Sequence, residues 1–350
     1  MKITLVGGGT AGHVNPNFAI AELLQVSYPN TKLHFITSNQ SFEKSLFEPY
    51  NFDVSYISAG KLRRYFSWQN FIDPFKVLFG TIQSIRILQS RRPDLVFMKG
   101  GFVCVPVALA CKVMRIPFII HESDASLGLA NKIVSFLTSH VWFSNPNFRN
   151  PKPKFSNIKI PVKPSLKSGK STKIPNFSKL DTQKPTLLII GGSSGAKAIN
   201  NFIFKNLQIL SDNYNLIHIT GKINSSNTPQ ITPKNYLQFD YVNDLKDIYA
   251  AADYVISRAG AGSLSEFEFL GLKALLVPLP ADQSRGDQIL NAQDFAEAKL
   301  GLVIDQRALE INKVLSMLKD LSSLPKPSSK HMDATSQIFL TAINQVTKLR

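Results

Sequence analysis

The chain has 350 residues, 44% of them apolar, and its lysines and arginines exceed its aspartates and glutamates by 16. That length calls for two domains of ordinary size, and that apolar fraction excludes a disordered chain. The two cysteines exclude a disulfide framework, and the positive field favours nucleic acid, an anionic membrane surface or phosphorylated substrates as partners.

Lys2 leads directly into the strand-like run 3–6 (ITLV), so no signal peptide is expected. A glycine-rich turn and a helix from about 15 to 26 follow, then the strand 32–37 (KLHFIT). The segment 62–93 is dense in aromatics (Tyr65, Phe66, Trp68, Phe71, Phe75, Phe79) and edged by Arg63, Arg64, Lys76, Arg86, Arg91 and Arg92. One helical face (Leu78, Ile82, Ile85) accounts for a core contact and leaves several aromatics over. An aromatic core and an interfacial membrane anchor both fit that pattern. Strands at 94–98, 117–121 and 140–144 follow, with a helix at 103–114 between the first two. No apolar run reaches the roughly eighteen residues of a membrane span. Alternation of strand and helix predicts a parallel sheet covered on both faces.

Residues 145–185 change texture, with nine lysines and Arg149 against one acid, Asp181. They read as a connection plus a mobile basic loop. The Gly169-Lys170-Ser171 triplet lacks both the earlier glycine and the preceding strand of a phosphate-binding P-loop. Then 186–190 (TLLII) runs into a second glycine loop and helix, repeating the start of the chain. Strands at 215–220, 236–239, 253–257, 274–279 and 301–305 complete a second α/β unit. A helical pattern after Pro327 is expected to pack back across the domain boundary.

Three places carry chemistry. Gly7, Gly9 and Gly12 satisfy GxGxxG, but the second strand ends in Thr37-Ser38-Asn39 with no acid for a dinucleotide ribose, which disfavours NAD and FAD. His13 opens the following helix, where the positive dipole end would lower its pKa toward a neutral base; His34 and His218 lie inside strands and read as structural. His121-Glu122-Ser123-Asp124 ends a buried strand, where open α/β sheets place ligands, although Ser123 or Asp124 would equally cap the next helix. In 257–291 a glycine turn opens a helix suited to phosphate, and Gln288 and Asn291 share a helix face. Ser263 and Glu266 have capping-box spacing, so Glu266 is either a cap or a ligand. No Asp-x-Asp pair occurs, so no metal bridge of that kind, and no cofactor, is expected.

Six ordered motifs bear a family resemblance: GGGTAGHVNPN, GGFVCVPVALA, HESDASLGLANK, GGSSGAKAIN, SRAGAGSLSE and the Gln288/Asn291 pair. Together they resemble the family-28 glycosyltransferases that build lipid II in peptidoglycan synthesis. The resemblance implies a GT-B fold: two Rossmann-like parallel-sheet domains facing across a cleft, 1–160 plus 332–350 and 161–331. It implies UDP-N-acetylglucosamine as donor and lipid I as acceptor. The partners are these and an anionic inner-membrane surface rather than nucleic acid, at the cytoplasmic face of a bacterial membrane. His13 is the first choice of general base and Glu122 the second. Ala261, Gly262, Ser263, Leu264, Ser265 and Glu266 would cradle the diphosphate and ribose. Ser193 would touch phosphate, the backbone at Val242 the uracil, and Gln288 and Asn291 the sugar. Thr10, Ala11, Gly12, Asp124 and Lys163 would complete the donor contacts, and Gly100 and Gly101 would meet the acceptor diphosphate. Five positions depart from the family pattern, Ser123 among them in place of a glutamine. Ala11 replaces a glycine and narrows backbone approach, Asp124 replaces an amide, Asp287 replaces a glutamine, and Lys163 replaces an arginine. Another GT-B enzyme acting on a UDP-sugar, and a non-catalytic membrane-docking partner of a transferase, are the alternatives.

Overall fold

The computed structural model describes residues 1–60, 69–145, 147–148, 152, 154–192, 195–221, 232–283, 286–325 and 330–348. The chain divides into two units, Met1–Lys163 with Met332–Arg350, and Pro164–His331.

The first unit runs β1 (Lys2–Gly7), α1 (Ala11–Ser27), β2 (Lys32–Ser38), α2 (Ser41–Phe47), β3 (Val54–Ile57), α3 (Gln69–Arg91), β4 (Leu95–Gly100), α4 (Cys104–Met114), β5 (Phe118–Glu122), α5 (Leu129–Val134), β6 (His140–Phe143) and β7 (Phe155–Asn157). The strands form one parallel sheet in the order β3-β2-β1-β4-β5-β6-β7. Successive residues of a strand face opposite ways, so both faces must be covered. Leu5, Leu95, Phe97 and Ile119 pack with α1 and α2, whereas Val6, Val96, Met98 and Ile120 pack with α3, α4 and α5.

The second unit contains β8 (Thr186–Ile190), α6 (Lys197–Lys205), α7 (Leu207–Asn213), β9 (Asn215–Ile219), β10 (Tyr236–Phe239), α8 (Lys246–Ala251), β11 (Tyr254–Ser257), α9 (Ala261–Leu270), β12 (Lys273–Leu276), α10 (Asp287–Glu297), β13 (Gly301–Val303) and α11 (Ile311–Ser323). Its parallel sheet has the order β10-β9-β8-β11-β12-β13. Counted from its own first strand this is 3-2-1-4-5-6, the order of the first six strands of the other unit. In each sheet the order reverses beside the first strand, and a glycine turn follows both strands at that point. Open α/β sheets bind ligands at such a switch point.

A last helix, α12 (Lys330–Lys348), joins the first unit. Phe339 is fully buried with ring contacts to Phe97 and Trp142, and Asn344 bonds the Tyr28 hydroxyl at 2.6 Å.

Several expectations need correction. The strands β3 and β7 were not expected: each is a short edge strand, and β7 lies in lysine- and proline-rich chain. The stretch 164–185 is not a mobile loop. It packs on the second unit through buried Leu166 and Ile174, Lys170 N–H donates to Asp247 at 2.8 Å, and Asp181 N–H donates to Asn215 at 2.8 Å. Helix α3 buries a face rotated from the one expected: of Leu78, Ile82 and Ile85 only Ile85, half-buried, packs against the core. Thr81, Ser84 and Leu88 are buried with Val77 half-buried beside them, whereas Leu78 is 61% and Ile82 43% exposed. Thr81 and Ser84 can face the core because their hydroxyls donate to the carbonyls of Val77 and Gly80 one turn back.

Candidate active site

In the first unit, α1 begins at Ala11, inside the glycine turn, with Thr10 as an extended N-cap that makes no side-chain cap bond. His13 therefore sits in the first helical turn, where backbone N–H groups lack intrahelical acceptors. Its Nδ1 lies 3.1 Å from the Gly8 carbonyl oxygen and 3.1 Å from Thr10 Oγ1. A carbonyl only accepts, so Nδ1 carries the proton and Nε2 carries the basic lone pair. The turn after β4 lies against the same ring. A side chain on Gly101, whose φ is +87°, would fall on the Gly8 carbonyl oxygen and 3.2 Å from His13 Nδ1. A side chain on Gly100 would approach the ring at 3.3 Å and the Asn131 amide at 3.2 Å. Thr10, Gly12, His13, Gly100 and Gly101 are thus brought together at the switch point. Ala11 joins them by backbone only: its methyl is 3% exposed and packs in the core, so the extra carbon does not narrow approach to the turn.

Glu122 is not placed to act as a base. It is 6% exposed and takes N–H donors from Ser123 (3.0 Å), Asp124 (3.3 Å), Gly128 (2.9 Å) and the Asn131 amide (3.0 Å). Both oxygens are occupied in holding the 123–128 turn, so none is directed at an incoming hydroxyl. Asp124, half-buried, sits on that turn.

In the second unit, α9 starts at Ala261 behind Gly260, so Ser263 is its third residue and not its cap. The capping-box reading of Glu266 fails on that register. Glu266 instead accepts a 2.6 Å hydrogen bond from Tyr249, a fully buried hydroxyl whose pKa is raised by burial and then by the Glu266 charge. The opening of α9 offers the N–H groups of Ala261, Gly262 and Ser263. Leu264 does not contribute one, because its N–H bonds the Gly260 carbonyl and its side chain is buried. Ser265 donates its hydroxyl to Ala261 O at 3.0 Å. Beside this turn, Gln288 accepts from Leu279 N–H at 3.1 Å and the Asn291 amide donates to Ala259 O at 3.2 Å, which ties α10 to the strand ends. Val242 lies in the turn after β10, and Ser193 lies outside the described residues.

The stretches 3–142 and 186–346 match the models of the glycosyltransferase family 28 N-terminal and C-terminal domains. A Clostridium botulinum (strain 657 / Type Ba4) protein is 41% identical over 326 residues, covering 91% of this chain and 90% of its own length. It is called UDP-N-acetylglucosamine–N-acetylmuramyl-(pentapeptide) pyrophosphoryl-undecaprenol N-acetylglucosamine transferase, as is a Staphylococcus saprophyticus protein 39% identical over 344 residues, covering 97% and 95%. The chain belongs to glycosyltransferase family 28. The crystal structure of Acinetobacter baumannii MurG superposes with a TM-score of 0.69 at 24% identity, covering 98% and 99% of the two chains, and shares this two-sheet GT-B fold.

In this family-28 transferase the Lys163 side chain is engaged by two aromatic rings of the first unit. Its ammonium lies over the rings of Phe18 (5.5 Å) and Tyr50 (5.3 Å) and donates to the Tyr50 hydroxyl at 3.3 Å. Asp287 is buried at the first turn of α10, where a carboxylate suits the helix dipole. Three charged residues escaped sequence reasoning. Glu43, fully buried in α2, accepts from Gly9 N–H at 2.7 Å and Ser38 Oγ at 2.8 Å, so the first glycine loop is anchored to the end of β2. The acid sought after the second strand is present, five residues late and turned toward the loop itself. Arg258, 9% exposed, donates to Val277 O, Pro278 O and Gln306 and braces the ends of β11 and β12. Lys99 is 3% exposed in β4, directly before Gly100. The signal for it was a lysine inside an otherwise apolar strand.

Proposed function

We propose that this chain transfers N-acetylglucosamine from UDP-N-acetylglucosamine to the 4-hydroxyl of the muramoyl sugar in undecaprenyl-diphospho-muramoyl-peptide, giving lipid II. The names of relatives about 40% identical over nine-tenths of the chain carry the reading, and the His13 geometry supports it.

The reaction is an inverting displacement. The acceptor 4-hydroxyl attacks the anomeric carbon as the bond to the UDP oxygen breaks, and the hydroxyl proton passes to His13 Nε2. The Gly8 carbonyl keeps Nδ1 protonated and stabilises the imidazolium that forms. Charge building on the departing UDP is met by the N–H groups opening α9. Glu266 takes the ribose hydroxyls, Val242 the uracil, Gln288 and Asn291 the sugar hydroxyls, and Thr10, Gly12 and Asp124 make further contacts of the donor. Gly100 and Gly101 take the acceptor diphosphate.

The acceptor is lipid-linked, and α3 supplies a surface for it. Ile72, Phe75, Leu78, Phe79 and Ile82 are 43–72% exposed along one side of α3, and Arg86 continues the same line. No described helix is long and apolar enough to cross a membrane. Such a stripe lies in a lipid interface, drawn there by the net charge of +16. The enzyme then works as a peripheral protein at the cytoplasmic face of the cell membrane.

The deciding experiment incubates the protein with UDP-N-acetylglucosamine and a lipid I analogue and follows UDP release, with and without chelator. Acceptor-dependent UDP release is expected, and its absence would overturn the assignment. Loss of activity on chelation would show that a metal takes part. His13→Ala should lower kcat by roughly two to four decades with donor affinity little changed.

A further inference from the structure

His218 is the fourth residue of β9, it is fully buried, and both nitrogens of its ring have partners on neighbouring elements. Nε2 lies 3.0 Å from Asn200 Oδ1 on α6, and Nδ1 lies 3.0 Å from the Tyr236 hydroxyl on β10. The Asn200 amide nitrogen donates to Thr220 O at 2.8 Å, so the amide oxygen, which only accepts, is the atom that faces the ring. Nε2 therefore carries a proton. Burial lowers the pKa of the ring to about 3, so Nδ1 keeps a lone pair and accepts from the phenol. The same phenol lies 2.9 Å from Gln238 Oε1, so its one proton has two acceptors in reach.

These bonds join one helix to two strands. α6 begins at Lys197, directly after the glycine turn that follows β8, and its Phe204 packs on the His218 ring with centroids 5.3 Å apart. β10 ends at Phe239 and runs into the turn that carries Val242. Thr220 N–H donates to Phe239 O at 3.0 Å, which holds the ends of β9 and β10 level. The strand ladder fixes β9 against β10 in the same way. A helix satisfies its own backbone, so its place on a sheet is set by side chains. In α6, Asn200 sets it through two polar contacts, one to Thr220 O and one to the His218 ring.

We propose that His218 is a positioning residue for the sugar donor, its ring tying α6 to β10 so that the turn after β8 and the turn after β10 keep the spacing that uridine diphosphate needs. The proposal rests on the reading of these two turns as phosphate and uracil contacts. Without the ring, Asn200 Oδ1 is left buried with no donor, and α6 must shift or admit water to satisfy it. His218 touches no reacting atom, so the effect falls on donor binding and spares the chemical step.

The test compares His218→Phe, which keeps a buried ring and removes both bonds, with His218→Gln, whose amide keeps an N–H for Asn200. UDP binding is titrated calorimetrically, KM for UDP-N-acetylglucosamine and kcat are measured at saturating lipid I analogue, and thermal melts are run alongside. His218→Phe should weaken UDP binding and raise KM roughly tenfold or more with kcat within about threefold, and His218→Gln should recover most of that loss. Because the spacing of two turns is at stake, inhibition by uridine alone should change less than about threefold. A merely structural histidine would lower the melting temperature and the amount of active protein with KM unchanged, and that result would overturn the proposal. Equal losses for uridine and UDP would overturn it too, since the uracil turn itself would then be damaged. If His218→Phe is too unstable to assay, Tyr236→Phe removes one bond at nearly constant volume. A rise in KM of about threefold or more is expected there, and wild-type KM and UDP affinity would count against the proposal decisively. A wild-type protein that binds no UDP would overturn the donor reading as well.

Discussion

Gly101→Ala tests the link between backbone geometry and the base. Position 101 has φ +87°, a region that an alanine adopts at a cost of about 1–2 kcal/mol. The added methyl would also fall on the Gly8 carbonyl oxygen, a backbone atom that cannot rotate away, and overpacking of this kind costs roughly 1–3 kcal/mol. The sum of about 2–5 kcal/mol should lower the melting temperature by roughly 5–15 °C for a unit of this size. The kinetic consequence is larger than the loss of stability suggests. Gly8 O is the acceptor that keeps the His13 proton on Nδ1. If that carbonyl is displaced, the imidazole no longer presents its lone pair from Nε2 in a fixed direction, and kcat should fall by about two decades or more. The assay is UDP release with lipid I analogue, run well below the variant's melting temperature, with donor affinity measured separately by titration. Gly260→Ala is the control for the melt alone, because nothing lies within 4 Å of the added methyl and its φ of −72° suits any residue, whereas its place at the opening of α9 bears on donor binding. An alanine at 101 that leaves both the melt and kcat at wild-type values would refute the reasoning, since either the turn or the tautomer argument must then be wrong.

Other outcomes follow from the same structure. Glu43→Ala strands the Gly9 N–H and the Ser38 hydroxyl, so denaturant unfolding should show a loss of roughly 2–4 kcal/mol, with Glu43→Gln losing clearly less because an acceptor oxygen remains; equal losses would mean the loop is anchored by something else. Burial lowers the pKa of His34 from 6.5 to about 4 and that of His218 to about 3, so below pH 6.5 the unfolded chain binds protons that the native chain refuses. Stability is thus full above that pH and should fall by about 1.4 kcal/mol per pH unit for each histidine on acidification, which urea midpoints at pH 7.5 and 5.5 will register or contradict. Phe75→Glu with Phe79→Glu removes two side chains worth roughly 1–2 kcal/mol each in an interface, so binding to vesicles containing anionic lipid should weaken at least about tenfold. Activity on a water-soluble acceptor should persist in that variant, and unchanged vesicle binding would move the membrane contact away from α3.

The strands were the most legible part of the chain because each buried strand is an unbroken apolar run with a glycine or polar turn at its end. β3 and β7 carry no such run, since an edge strand needs burial on fewer sides. The buried face of α3 is rotated from the one that its apolar residues suggest, because Thr81 and Ser84 look polar in a sequence and become acceptable in a core once they bond the preceding turn. The glycine turn, His13 and the 261–266 helix start were visible as local patterns. What was not visible depends on the register of distant residues. Whether Glu266 caps its helix turns on where that helix begins, and whether Glu122 is available turns on four donors, one of them nine residues away on α5. Lys99 and Glu43 escape a reading of the sequence for the same reason: what surrounds a buried charge is set by residues distant in the chain.

The path of α12 bears on how the protein is made. Phe97 and Trp142 are synthesised early, but Phe339, the ring that covers them, follows only after the whole second unit. On the ribosome the first unit therefore emerges with an uncovered apolar stripe and waits through roughly 170 residues, some ten to thirty seconds at ordinary elongation rates. A chain interrupted anywhere in that interval would present the same stripe to chaperones and proteases, so premature termination is marked by the unfinished half of the molecule furthest from the break.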